Sequence, residues 1–93
     1  MTARKQGSYY VYVLLCGDGT YYTGYSSNPS LRFVKHMRGQ GARYTRTHKP
    51  NRIVYLERFK TRSMAMRRER EVKALTHREK ERLAERRTVI IKQ

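Results

Sequence analysis

The sequence is poor in cysteine, in acidic residues and in long apolar runs, and each scarcity closes off a class of protein. Cys16 is the single cysteine, so neither an intrachain disulfide nor a multi-thiolate zinc site can form, and a reducing compartment fits. No apolar stretch approaches the ~20 residues needed to span a bilayer, and Met1 to Ser8 lacks the apolar segment of a signal peptide. The expectation is cytoplasmic residence without a membrane. No segment sets a clean apolar face against a basic one with bulky insertion residues, which also argues against a membrane-surface protein. Acidic residues number 7 against 22 Lys and Arg, for a formal charge of +15, and Asp18 is the only acidic residue among the first 56. Such an imbalance calls for a polyanionic partner, because each neutralised phosphate releases condensed counterions. Nucleic acid fits, DNA or RNA. Charge alone is equally compatible with a basic, ribosome-bound protein without chemistry.

There is no internal repeat and no low-complexity linker, and 93 residues make one domain with a thin core, burying about 60–65% of the unfolded surface. The reading is a basic tail over 1–8, one domain over 9–86 and a C-terminal tail over 87–93. Tyr9 to Cys16 has the Tyr, Val and Leu composition of a buried strand, Gly17-Asp18-Gly19 breaks it, and Thr20 to Tyr25 is a second strand. Asn28 and Pro29 give an N-cap and a first-turn proline. Leu31, Phe33, Val34 and Met37 then recur at helical spacing, to about Arg38. Gly39 to Asn51 reads as a loop, Ile53 to Phe59 as a strand and Arg62 to Leu75 as a helix. Thr76 with Glu79 fits a capping box opening a last helix. The predicted class is α+β, a small three-stranded antiparallel sheet flanked by helices in the order β-β-α-β-α-α.

The hairpin register decides which tyrosines share a face. A three-residue loop with Gly19 in the left-handed position pairs Cys16 with Thr20, Leu14 with Tyr22 and Tyr12 with Gly24, so that Tyr10, Tyr12 and Tyr22 point the same way. A two-residue Asp18-Gly19 turn would instead put Tyr12 and Tyr22 on opposite faces. Arg32 and His36 are four apart on the first helix, neighbours on a surface expected to lie away from buried Phe33 and Met37. The pair suits a phosphate, since Arg offers a planar fork of donors and His can donate or orient a water; it also suits the solvated face of a basic helix. Glu69 falls between Ala65 and Val72 on the inward stripe of the second helix, where a carboxylate needs a cation. That cation is either a metal, Mg²⁺ or Mn²⁺, or a neighbouring basic side chain. His48 and His77 are expected in solvent.

Tyr10-Val11-Tyr12, Tyr22-Thr23-Gly24, the Arg32 and His36 pair and the late Glu69 together resemble the GIY-YIG nuclease superfamily, over about Tyr9 to Leu83. Asp18-Gly19, Tyr22-Thr23-Gly24-Tyr25, Gly39-Gln40-Gly41-Ala42-Arg43-Tyr44-Thr45 and Glu69 followed by Val72-Lys73 look like its small, stand-alone, YhbQ-like group. Tyr10 stands where the first motif has glycine. The resemblance implies a metal-dependent endonuclease hydrolysing phosphodiester bonds, with Tyr12, Tyr22, Arg32, His36 and Glu69 catalytic, Gly24 structural at the site and Glu69 the metal ligand. Tyr12 or Tyr22 would orient the attacking water and take its proton, Arg32 would offset charge on the phosphoryl oxygens and His36 would assist. Lys35, Arg38, Arg43, Arg46, Lys49 and Arg52 are the expected phosphate contacts, with Tyr44 available for stacking. The alternative is a catalytically inert DNA- or RNA-binding module on the same fold.

Overall fold

The computed structural model describes residues 8–85 and 89–91, so the predicted basic tail over 1–8 lies outside the described residues except for Ser8. The elements are β1 (Tyr9–Cys16), β2 (Tyr21–Ser26), α1 (Pro29–Met37), α2 (Arg43–Thr47), β3 (Pro50–Phe59), α3 (Arg62–Lys73), α4 (His77–Glu85) and β4 (Val89–Ile91). Strands β2, β1 and β3 form the expected antiparallel sheet, in that order across it.

Local chemistry accounts for the hairpin and the helix starts. Gly19 has φ +86°, its N–H donates to the Cys16 carbonyl and the Cys16 N–H donates to the Thr20 carbonyl. The three-residue loop therefore sets the register, with Tyr12 opposite Gly24 and Leu14 opposite Tyr22. Asn28 caps α1 by accepting from the Leu31 N–H at 3.1 Å, and Thr61 caps α3 by accepting from the Met64 N–H at 3.2 Å. Thr76 and Glu79 satisfy each other's N–H groups in the capping box that opens α4.

The sheet has two unlike faces. Val11, Val13 and Tyr55 lie on one, packed against Ala65 and Val72 of α3, with Leu75 and Leu83 completing the cluster. The other carries Tyr12, Leu14 and Tyr22 and is met by α1 and α2.

Three expectations need correction. The segment Gly39 to Asn51 is not all loop: α2 makes a turn of helix within it and β3 begins at Pro50. Five residues are too few for periodicity to show, and so short a helix depends on tertiary contacts. The sheet also has a fourth strand, since β4 pairs parallel to β3 with Leu56 opposite Val89, in the segment expected to be a tail. Thr88 to Ile91 are four consecutive β-branched residues, but so short a run carries no sign of its partner.

The third correction concerns α1. Its apolar residues were expected inward, yet His36 is 1% exposed while Leu31, Val34 and Met37 are 53%, 39% and 39% exposed; Phe33 is half-buried. Amphipathic spacing presumes an apolar surface to pack on. The sheet face beneath α1 is phenolic, and an imidazole can both pack on a ring and hydrogen-bond a hydroxyl.

Candidate active site

Tyr12 is buried near the middle of β1, with its ring laid across the neighbouring strand. A Cβ on Gly24 would sit 2.5 Å from the Tyr12 hydroxyl oxygen and 2.8 Å from its ring carbon Cζ, so only glycine at this position lets the phenol cross β2. Because β2 is the edge strand, the hydroxyl is carried toward the rim of the sheet. There it lies 2.9 Å from Nε2 of His36. The other imidazole nitrogen, Nδ1, is 2.8 Å from the Thr45 hydroxyl, which itself donates to the Ala42 carbonyl at 2.9 Å. Gly41 closes over the ring, where a Cβ would overlap Nδ1.

Burial and charge act in opposite directions here. Burial, foremost, and the neighbouring Tyr22 push the Tyr12 phenol up to about 12, against the hydrogen bonding and charge of Arg32, while Glu69 adds to the rise. Desolvation and then the charge of Arg32 lower the His36 imidazole below its ordinary value, so His36 is neutral at pH 7. Arg32 itself is exposed on α1, and its five N–H donors leave capacity for an anion beyond the phenol.

A column of rings continues from this pair. Tyr22 lies 5.0 Å from His36 and 5.9 Å from Tyr44, and Tyr44 stacks on His48 at 4.0 Å with 12° between planes. His48 ends the column 2.6 Å from the Asp18 carboxylate. The Thr20 hydroxyl and then His48 hold that carboxyl down at about 2. His48 is thus not free in solvent as expected, and Tyr44 has its ring engaged by two neighbours. His77 is exposed, with Nε2 3.0 Å from the Gly19 carbonyl and its ring against Tyr21.

Glu69 belongs to α3, between fully buried Ala65 and Val72, and its side chain is 17% exposed with Lys73 Nζ at 3.4 Å. Among the described residues no three His, Cys, Asp or Glu side chains come together, which leaves Glu69 as a lone carboxylate whose charge acts on the Tyr12 phenol. One carboxylate suits Mg²⁺, which keeps several waters and completes its shell with substrate phosphate. Lys35, Arg38, Arg43, Arg46, Lys49 and Arg52 are all exposed, and none of them joins an ion pair among the described residues. They extend a cationic surface from α1 through α2 into β3.

The structure therefore brings Tyr12, Tyr22 and His36 into contact and sets Arg32 and Glu69 where their charges act on the Tyr12 hydroxyl. Sequence reasoning assigned no role to Gly41 or Thr45. Both lie in the Gly39 to Thr45 stretch, whose two glycines were a visible sign of close backbone approach.

A family model described as the GIY-YIG catalytic domain matches residues 8–82. A UPF0213 protein of Natronomonas pharaonis is 51% identical over 75 residues, covering 81% of this chain and 88% of that one. A UPF0213 protein of Staphylococcus aureus is 46% identical over 76 residues, covering 82% and 93%. Two solution NMR structures have the same fold. A UPF0213 protein of Bacillus halodurans is 46% identical, with TM-score 0.53 and coverage of 84% of this chain and 83% of that one. A protein of E. faecalis is 42% identical, with TM-score 0.57 and coverage of 88% and 85%.

Proposed function

The chain belongs to the GIY-YIG family, among small stand-alone UPF0213 members, and from that premise we propose that it is a metal-dependent endonuclease hydrolysing phosphodiester bonds, of DNA in the first place. The observation that carries this reading is the buried 2.9 Å contact between the Tyr12 hydroxyl and His36 Nε2 beside the exposed guanidinium of Arg32. A phenol at about 12 is a poor base by itself at neutral pH. With a neutral imidazole at its back it need not ionise: as water attacks phosphorus, the Tyr12 oxygen takes the water's proton while its own passes to His36 Nε2. The Tyr12 O–H bond is replaced by a new one, His36 becomes imidazolium and hydroxide is delivered to phosphorus. Tyr12 is thus the base, and Tyr22 holds the imidazole from the side.

Arg32 binds the phosphoryl oxygens and offsets the charge that builds on them. Glu69 would hold Mg²⁺ or Mn²⁺, which when bound supplies polarisation of the phosphate and stabilisation of the leaving 3′ oxygen. Exposed Lys35, Arg38, Arg43, Arg46, Lys49 and Arg52 carry the flanking phosphates. No helix of the described residues is long and apolar enough to cross a membrane, and cytoplasmic residence belongs to the same reading.

One observation favours the rival, an inert nucleic-acid-binding module. Lys73 lies 3.4 Å from Glu69 and satisfies the carboxylate without a metal. Cleavage of a panel of single-stranded, duplex and branched DNA and RNA with Mg²⁺ or Mn²⁺ separates the two. The nuclease cuts at least one member, and Glu69→Gln stops it while binding in chelator is kept or rises. Intact substrates throughout, with a Glu69→Gln variant that binds normally, decide for the module.

A further inference from the structure

The relay proposed above works only if His36 Nε2 is bare when Tyr12 approaches it, and the residues that secure this lie on the far side of the ring. We infer that Thr45 is a positioning residue that fixes His36 in the tautomer with its hydrogen on Nδ1. This inference rests on the proposed nuclease reading for its purpose, and on hydrogen-bond geometry for its content.

The proton inventory favours one arrangement. The Thr45 hydroxyl has a single hydrogen and lies 2.9 Å from the Ala42 carbonyl, which can only accept. Its hydrogen committed there, Thr45 can only accept from the imidazole, so the 2.8 Å contact at Nδ1 is an Nδ1–H donating to Thr45 Oγ1. A neutral imidazole then has no hydrogen on Nε2, and the 2.9 Å contact to Tyr12 is the phenol donating to the ring. The outer side of the phenol agrees. Arg32, whose charge acts on the phenol, can only donate and offers the hydroxyl hydrogen no acceptor, and the one side-chain acceptor for the Tyr12 hydroxyl among the described residues is His36 Nε2. The opposite tautomer would aim Nε2–H at the phenol and leave the hydroxyl hydrogen with no side-chain acceptor among the described residues. Thr45 would then have to abandon either Nδ1 or the Ala42 carbonyl. The one contact that prefers this arrangement, the Ala42 N–H at 3.4 Å from Nδ1, is much the longest of the set.

The scaffold explains why a threonine from another helix can do this. Gly39 has φ +75° and turns the chain back from α1. Gly41 passes against the imidazole, where any side chain would overlap Nδ1, and α2 then presents Thr45 to the ring. The sequence Ala42-Arg43-Tyr44-Thr45 closes a three-residue bond from the Thr45 side chain to the Ala42 carbonyl, so the hydroxyl's hydrogen is spoken for by its own helix before His36 arrives.

The test reads the tautomer directly. The chain has three histidines, and in a ¹⁵N-labelled His48→Gln, His77→Gln double variant a long-range ¹H–¹⁵N spectrum above neutral pH reports His36 alone. Hydrogen on Nδ1 is expected; hydrogen on Nε2 overturns the inference whether or not the protein cleaves anything. Thr45→Val keeps the shape but cannot accept. It should give mixed tautomers and slow cleavage by about 10–100-fold, the usual cost of losing a partner that orients a working group, with nucleic-acid affinity unchanged. Thr45→Ser should restore both. A Thr45→Val variant with the wild-type tautomer and full cleavage refutes the assignment; if that variant does not fold, the double-variant spectrum decides. Absence of cleavage by the wild type on every substrate counts against the nuclease reading and leaves the tautomer result standing.

Discussion

The two faces of the sheet are held by different physics. Against α3 and α4, Val11, Val13, Tyr55, Ala65 and Val72 make an apolar cluster in which burial supplies stability and neighbours are interchangeable within limits of volume. Against α1 and α2, beside the fully buried Leu14, Tyr12, His36 and Thr45 are joined in a chain of hydrogen bonds of 2.8–2.9 Å. Removing one partner there strands the others, so the second face is fixed in geometry more tightly than its small area suggests. One face keeps the domain folded, and the other, under the nuclease reading, uses that rigidity for chemistry.

The sharpest separation is in rate. Arg32→Ala should lower cleavage by about 10²–10³, the usual loss for one donor aimed at a developing charge. Arg32 is exposed and outside the apolar cluster, so the melting temperature should stay close to wild type. Single-turnover cleavage with a parallel melt checks this, and a variant that melts early but cuts normally would erase the distinction between the faces.

Binding should follow the same side of the molecule. With four to six phosphates contacted, log K against log salt should slope by roughly −3 to −5, a loss of about 10²–10³ in affinity between 50 and 200 mM salt. Charge reversal of Arg43 and Arg46 should flatten the slope, whereas reversal of Arg70 on α3 should not. Fluorescence anisotropy across a salt series measures both, and equal effects from the two helices would mean that the cationic surface has no preferred face.

Paired small changes test the faces against each other. Val72→Ala should cost about 2 kcal/mol of stability through a cavity and leave the Tyr12–His36 contact intact. Gly24→Ala places a methyl on the Tyr12 hydroxyl and should cost cleavage at least about tenfold, as a displaced reacting group does, for a smaller loss of stability. Denaturant titration beside initial rates distinguishes them; identical profiles for the two variants would show one undivided core.

The smallest expected effect is in pH. His36 has a lowered folded-state pKa, so its burial contributes stability that is complete above about 6.5 and lost as pH falls through the folded value. Over that window the unfolded chain binds the proton first. Cleavage should fall in the same window, because a protonated Nε2 cannot accept. Tyr12 and Tyr55 have raised values; their contribution is complete below about 10 and lost at higher pH. Melts from pH 5 to 8 should show an acid decline that His36→Gln reduces, and an unchanged decline would place the titrating group elsewhere.

Features that depend on a few adjacent residues were legible along the chain. Gly19 had to take a left-handed conformation for the turn to close, and that choice alone fixed Tyr12 opposite Gly24. Asn28, Thr61 and the Thr76–Glu79 box start their helices through contacts three residues long. Glu69 faces inward because helical spacing puts it between Ala65 and Val72. The remaining features came from contacts between distant segments. Which side of α1 turns inward depended on the polar tyrosine face beneath it, so the apolar spacing of Leu31, Val34 and Met37 pointed the wrong way. The pairing of His48 with Asp18 spans 30 residues, that of β4 with β3 crosses from one end of the chain, and Thr45 reaches His36 only after two glycines fold the chain back. Spacing along a chain reports the periodicity of one element; which partner that element meets, and with which atoms, is set only when a second element of suitable chemistry is brought against it.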